Sequence, residues 1–235
     1  MPTEGFAAPT PHGPITRLCE GVHLVRGTFR MGPGLTISRT MTIVQVPDGL
    51  TVVNSLRLDA ATEAQLLAVG KVAHVVKLSD MHGLDDPYYV KVLGGALWCL
   101  EGAKPKGLTA DRLLGNDCPV PGGRVIVIAG TKHPEAALWV PHGGGTLITC
   151  DAVQHHVDTE GASLFARVMT PILGFKGGVI VPKMWRSTHG LKGEPLAQAL
   201  AEVSGLSYAN LVTGHGPAVI GGADALVREA IARVS

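Results

Sequence analysis

Residues 72–87 read Val72-Ala73-His74-Val75-Val76-Lys77-Leu78-Ser79-Asp80-Met81-His82-Gly83-Leu84-Asp85-Asp86-Pro87. Val72–Leu78 is a short apolar run bounded by polar residues, the pattern of a buried strand. Directly after it, Asp80, His82, Asp85 and Asp86 crowd three carboxylates and an imidazole into one short segment. Pro87 suits the first turn of a helix, which Tyr88–Leu93 continues. Asp-Asp-Pro is also an ordinary helix start, with an aspartate as cap.

On the N-terminal side, His23–Phe29 alternates as a strand does. Thr36–Val46 and Leu50–Leu56 flank the turn Pro47-Asp48-Gly49, which is a hairpin signal. Asp59–Val69 has helical spacing, with Asp59 placed to cap it. Met1–Pro14 is rich in Pro and Thr and reads as a surface arm or strap. The expected organisation is an arm over 1–15 and one domain over 16–235.

On the C-terminal side, Ala96–Leu100 reads as a strand and Glu101–Gly123 mostly as loop. Strands are expected at Arg124–Ala129, Ala136–Val140 and Thr146–Thr149, with Pro141-His142-Gly143-Gly144-Gly145 turning between the last two. Helical patterns cover Ala162–Met169, Pro195–Val203 and Ala223–Val234. Tyr208–Val212 reads as the last strand, broken by Gly214-His215-Gly216-Pro217.

Composition narrows the class. The chain has 235 residues, 46% hydrophobic and 17% charged, so it can bury a substantial core. A formal net charge of +1 leaves no basic excess for phosphates, and 4% aromatics argue against a base-stacking platform. Nucleic acid is therefore not an expected partner. No apolar run approaches the ~20 residues of a membrane helix, and no signal peptide is visible. Cys19, Cys99, Cys118 and Cys150 form neither a CxxC pair nor a disulfide-scaffold spacing, so a reduced, cytoplasmic setting is the simpler expectation. A small-molecule substrate is the expected partner, and a homodimer stays open.

Three polar clusters each follow an apolar strand: Asp80/His82/Asp85/Asp86, then Asp151, then His215. Ligands at strand ends can converge on one rim of a sandwich, and imidazoles with carboxylates are what Zn²⁺, Mn²⁺ and Fe²⁺ accept. Each residue also has a plainer reading. His82 could cap a turn, Asp80 could satisfy loop amides, and His155 and His156, which could line a pocket beside Asp151, read more simply as the start of a solvated helix. Cys150 reads as a small buried hydrophobe.

In that order of elements the chain resembles the metallo-β-lactamase superfamily. That superfamily places HxHxDH after a strand, a histidine after a later strand, a bridging aspartate after the next hairpin, and a histidine in a final GHG-like turn. Gly145-Thr146-Leu147-Ile148-Thr149-Cys150-Asp151 and Thr213-Gly214-His215-Gly216-Pro217 match the last two. In place of HxHxDH stands Asp80-Met81-His82-Gly83-Leu84-Asp85-Asp86, where only His82 matches outright. The motif's aspartate and last histidine fall on Leu84 and Asp85, or, with one inserted residue, on Asp85 and Asp86. The remaining histidine falls on Thr131 in strict register, or on His133 after a shift.

The resemblance implies an α+β, four-layer αββα sandwich. It implies a divalent metal, Zn, Mn or Fe, as one or two ions. Asp80, His82, Asp85, Asp86, His133, Asp151 and His215 are the candidate ligands, with Glu135 beside His133 as a further possibility, and Asp85 and Asp86 are the candidate catalytic carboxylates. An oxygen-rich set would tilt preference toward Mn²⁺ or Fe²⁺. The implied activity is hydrolysis of an ester, lactone, thioester, amide or phosphoester by metal-bound hydroxide. The alternative is a catalytically degenerate member that binds a small molecule or a protein.

Overall fold

The computed structural model describes residues 5–190 and 194–234. Its first half is one seven-stranded sheet with neighbours in chain order: β1 (Thr16–Cys19), β2 (Val22–Gly32), β3 (Leu35–Val46), β4 (Gly49–Val53), β5 (Val72–Lys77), β6 (Ala96–Leu100) and β7 (Arg112–Leu114). Helix α1 (Ala60–Val69) joins β4 to the parallel β5, and α2 (Asp86–Lys91) joins β5 to the parallel β6. The Asp59 side chain caps α1 by accepting from Thr62 N at 2.8 Å. The strand β7 lies inside the stretch expected to be loop. It pairs with β6 through Trp98–Arg112, so tertiary docking at a sheet edge makes a strand where local propensity does not.

The second half carries a five-stranded sheet. It contains β8 (Arg124–Val127), β9 (Ala136–Val140), β10 (Thr146–Ile148), β13 (Asn210–Val212) and β14 (Val219–Ile220). Between β10 and β13 run β11 (Gln154–His156), α3 (Leu164–Ile172), β12 (Gly178–Ile180), α4 (Lys183–Thr188) and α5 (Glu194–Gly205); α6 (Ala223–Ala232) ends the chain. His155 and His156 lie in β11, paired with β12, and do not start a helix. Two adjacent histidines and a following Val suit an alternating pleat as well as a helical turn, and only pairing decides.

Successive side chains of a strand face opposite ways, and each sheet uses this to bury both faces. Val75 and Val52 point to a core with Leu66 of α1 and Tyr88 and Tyr89 of α2. Their neighbours Val76 and Val53 point to the other sheet, against Leu138, Val140 and Ile148. Ala137, Leu147 and Leu211 face outward from the second sheet, under Val203 of α5 and Val227 of α6. Three apolar layers between four layers of elements make an αββα sandwich. Before it, Thr10 Oγ1 donates to Thr28 O at 2.6 Å and Gly13 N to Arg26 O at 2.8 Å, so this N-terminal segment lies along β2. Among the described residues, no helix is long and apolar enough to cross a membrane.

Leu138 is 0% exposed in the layer between the sheets. Replacing Leu138 by Ala is expected to cost about 2–5 kcal/mol, read from urea denaturation. A loss below about 1 kcal/mol would mean that the two sheets are not tightly packed there.

Candidate metal centre

β10 and β13 are parallel neighbours, with Ile148 opposite Val212. Parallel strands end at the same edge, so Asp151 and His215, each three residues beyond that pair, leave the sheet side by side. β5 of the other sheet ends on the same rim and delivers His82. Its connection is stitched across the sandwich: Ala136 N donates to Leu78 O at 2.8 Å, and Asp80 N to Pro134 O at 3.2 Å.

The three side chains meet. His82 Nε2 lies 3.4 Å from one Asp151 oxygen, and His215 Nε2 lies 3.3 Å from the other. One ligand-capable atom from each falls within 4.8 Å of the others. The imidazole rings are edge-on, with centroids 5.2 Å apart. Close approach demands small neighbours: a Cβ on Gly214 would lie 2.7 Å from His82 Cε1. Bonds of ~2.0–2.2 Å from three donors to one ion require donors about this close together.

Hydrogen bonds orient the group. His215 Nδ1 lies 2.7 Å from Ser38 O; a carbonyl only accepts, so Nδ1 carries the proton and Nε2 faces Asp151. Thr40 N donates to Gly214 O at 3.0 Å, which holds the turn against β3. Gln154 Nε2 donates to Asp151 Oδ1 at 3.1 Å, and Gln154 Oε1 lies 2.7 Å from His156 Nε2. Burial, with the His215 and His155 charges, pushes the His156 imidazole down to about 4, so it is neutral at pH 7. Burial works to raise the Asp151 carboxyl, but the His82 and His215 imidazoles overcome it and hold Asp151 well below the usual carboxylate range. Burial opposes protonation of His215, and the Asp151 hydrogen bond and charge outweigh it, raising His215.

The other sequence candidates lie elsewhere. Asp80 Oδ1 accepts from Lys104 N at 2.9 Å. Asp85 accepts from Arg39 Nη2 at 2.5 Å and from Arg57 N at 2.9 Å, and makes no side-chain cap on α2. Asp86 is buried and accepts from Ser55 Oγ at 2.6 Å. Burial raises its carboxyl, which the Ser55 bond and the nearby Lys77 charge oppose. Lys77 Nζ also donates to the His82 carbonyl. Gly83, at φ +98°, gives the His82 turn a backbone that side-chain-bearing residues rarely adopt. Leu84 is 50% exposed. His133 is exposed and lies against His189, with ring centroids 5.6 Å apart. The structure thus brings together His82, Asp151 and His215, and none of Asp80, Asp85, Asp86 and His133 shares that cluster.

Comparison with solved structures shows what this scaffold is. The crystal structure of the DIM-1 metallo-β-lactamase exposed to ceftazidime superposes with a TM-score of 0.63 at 14% identity, over 97% of this chain and 100% of that one. The FIM-1 metallo-β-lactamase from Pseudomonas aeruginosa, in a mono-zinc form, gives 0.60 at 13% identity, over 97% and 98%. A metallo-β-lactamase from Hirschia baltica gives 0.60 at 13% identity, over 96% and 98%. The chain has the metallo-β-lactamase fold. No family model and no curated protein matches the sequence. Within the metallo-β-lactamase fold, the cluster stands on the rim where β5, β10 and β13 end.

Two supporting residues escape a reading by motif. Glu135 is 3% exposed and accepts from Asp151 N at 2.8 Å, Ala152 N at 2.6 Å and Trp185 Nε1 at 3.0 Å. It anchors the backbone that presents Asp151. Gln154 orients the Asp151 carboxylate itself. The sequence offered Glu135 as a possible ligand beside His133, and the structure gives its oxygens to two amides and an indole; Gln154 carried no signal in the sequence.

Burial and the Asp151 charge push Glu135 up to about 8 from its ordinary 4.5. A raised folded-state value means the folded protein binds the proton more tightly than the unfolded chain. That stability is present below about 4.5 and is lost as pH rises toward about 8. Glu135→Gln should lower the thermal midpoint overall but flatten its decline between these pH values. An unchanged slope in the variant would remove Glu135 as its source.

Proposed function

We propose that the chain is a metal-dependent hydrolase whose ion is held by His82, Asp151 and His215. The observation that carries this reading is the convergence of two imidazole nitrogens and a carboxylate oxygen within 4.8 Å. Two histidines and one carboxylate on one side of an ion leave other positions open for water and substrate. Zn²⁺ fits this set as well as Fe²⁺ or Mn²⁺, because two of the three donors are nitrogen. When bound, the ion would polarise an acyl or phosphoryl oxygen and bring the pKa of a water to around 7.

The chain's own residues supply the rest. Ser38 O holds His215 in one tautomer, Gln154 holds the Asp151 carboxylate, and Glu135 holds the backbone beneath it. Asp85 and Asp86 are assigned a positioning role: through Arg39, Arg57, Ser55 and Lys77 they brace the turn that carries His82. The three side chains of the cluster are 14–17% exposed, so a substrate can reach them from solvent. Carboxylic esters, lactones and thioesters are the substrates we favour. Water adds to the carbonyl carbon, the acyl–oxygen or acyl–sulfur bond breaks, and the leaving group takes the proton.

The test is metal content of protein purified without chelator, with turnover of an ester and lactone panel. About one ion per chain is expected, and chelator should abolish turnover. Asp151→Ala and His215→Ala should lose the ion, whereas Asp80→Ala and His133→Ala should keep it. Gln154→Ala should weaken metal affinity by about 10–100-fold. Full occupancy in an Asp151→Ala/His215→Ala double variant would falsify the proposal. Metal retained with no turnover of any panel member would favour a binding module on the same fold.

A further inference from the structure

Asn54 follows β4 with φ +55°, and among the described residues no other non-glycine residue has a positive φ. Asn tolerates this left-handed backbone better than most residues. Even so, it persists only where the surroundings hold it, and such residues cluster at functional sites. Asn54 is buried, and both ends of its amide are engaged. Nδ2 donates to Thr149 O at 3.1 Å, and Oδ1 accepts from Cys150 Sγ at 2.8 Å. Thr149 and Cys150 are the two residues directly before Asp151.

These two bonds cross the sandwich. β4 belongs to the first sheet, and Thr149 continues β10 of the second. The cluster is divided in the same way. His82 follows β5 of the first sheet, while Asp151 and His215 follow β10 and β13 of the second. β4 and β5 are parallel neighbours, with Val53 opposite Val76. Asn54 therefore leaves the first sheet beside the strand that delivers His82, and it grips the strand that delivers Asp151. The grip extends further. Thr149 N donates to Val212 O at 2.9 Å, which ties it to β13. A Cβ on Gly214 would lie 3.4 Å from Cys150 Cα and 2.7 Å from His82 Cε1, so Cys150 backs directly onto the turn beside His82. Residues 149–150 are held by Asn54 from the first sheet, and the amides of Asp151 and Ala152 by Glu135 at the head of β9.

We infer that Asn54 is a positioning residue for the metal centre: by bridging the two sheets it sets how far Asp151 stands from His82. This assignment rests on the reading of His82, Asp151 and His215 as ligands of one ion. A bond that only held the sheets together would affect stability and leave the donor geometry alone. A spacer changes the separation of the donors, and with it the affinity for an ion and the geometry around it. Leu138, in the apolar layer between the sheets, is the packing contact against which the two roles separate.

The test is Co²⁺ binding by Asn54→Gly, followed by the visible absorption of the bound ion and by competition with a chromophoric chelator, below the thermal transition of every variant. Glycine accepts a positive φ and removes both bonds. Affinity should fall about tenfold or more, and the Co²⁺ bands should shift. Leu138→Ala, which loosens packing between the sheets, should leave the bands in place. Cys150→Ser keeps a donor for Asn54 Oδ1 and should retain the wild-type bands, whereas Cys150→Ala should move them as Asn54→Gly does. The Cys150 pair decides the matter if Asn54→Gly does not fold. Wild-type bands and affinity in Asn54→Gly, or in Cys150→Ala where only that variant folds, overturn the assignment. An equal change in Leu138→Ala also overturns it. If the wild-type protein takes up no Co²⁺, the metal reading fails by itself, and the imidazole ring-proton resonances of His82 and His215 in the ion-free protein decide the spacing role. Resonances that move in Asn54→Gly and not in Leu138→Ala support it, and unmoved resonances overturn it.

Discussion

The Asp151 carboxylate lies between the imidazoles of His82 and His215, and the rest of the rim is arranged to keep it there. A carboxylate with an imidazole on each oxygen is a directed arrangement, since each ring must present a nitrogen along a lone pair. Ser38 turns one ring, and Gly214 leaves room for the other. Beneath them Glu135 takes the amide hydrogens of Asp151 and Ala152, so the carboxylate is presented by anchored backbone. The register of Ile148 against Val212 then sets Asp151 and His215 at equal depth beyond the sheet.

Asp85, Asp86, Glu135 and Asp151 lie close together at this end of the sandwich and take partners of different kinds, and burial raises Asp86 and Glu135, whose direct donors are uncharged. Asp85 takes the Arg39 guanidinium and a backbone amide. Asp86 takes the Ser55 hydroxyl near the Lys77 ammonium. Glu135 takes two amides and an indole, and Asp151 takes two imidazoles. Packed carboxylates repel unless something cancels their charge. Here Arg39 and Lys77 supply that cancellation for the pair closest to the His82 turn.

The architecture was legible because its cause is local. Alternation in Thr36–Val46, the Pro47-Asp48-Gly49 turn, the capped periodicity of Asp59–Val69 and the apolar run before Ser79 each specify an element with little help from the rest of the chain. Departures fell where pairing decides. Arg112–Leu114 is a strand only because β6 offers it an edge, and His155–His156 is a strand only because β12 lies beside it. Helix α3 was visible as a helix, but its solvent-facing apolar stripe was not. Amphipathic spacing says that a face is apolar, and it does not say whether another element covers it.

For the site, the sequence by itself determined that imidazoles and carboxylates follow strands whose ends could share a rim, because strand signals and polar residue types are local properties. It could not choose among Asp80, Asp85, Asp86 and His133, since a carboxylate after a strand looks the same whether it faces an ion, an arginine or a loop amide. Tertiary structure made that choice. Arg39, Ser55 and Lys104 come from distant parts of the chain and occupy three of those candidates. Gln154 and Glu135 gain their importance only from what stands beside them. A hydrogen-bond partner is a relation in space, and residue order carries no record of it until the two sheets close face to face.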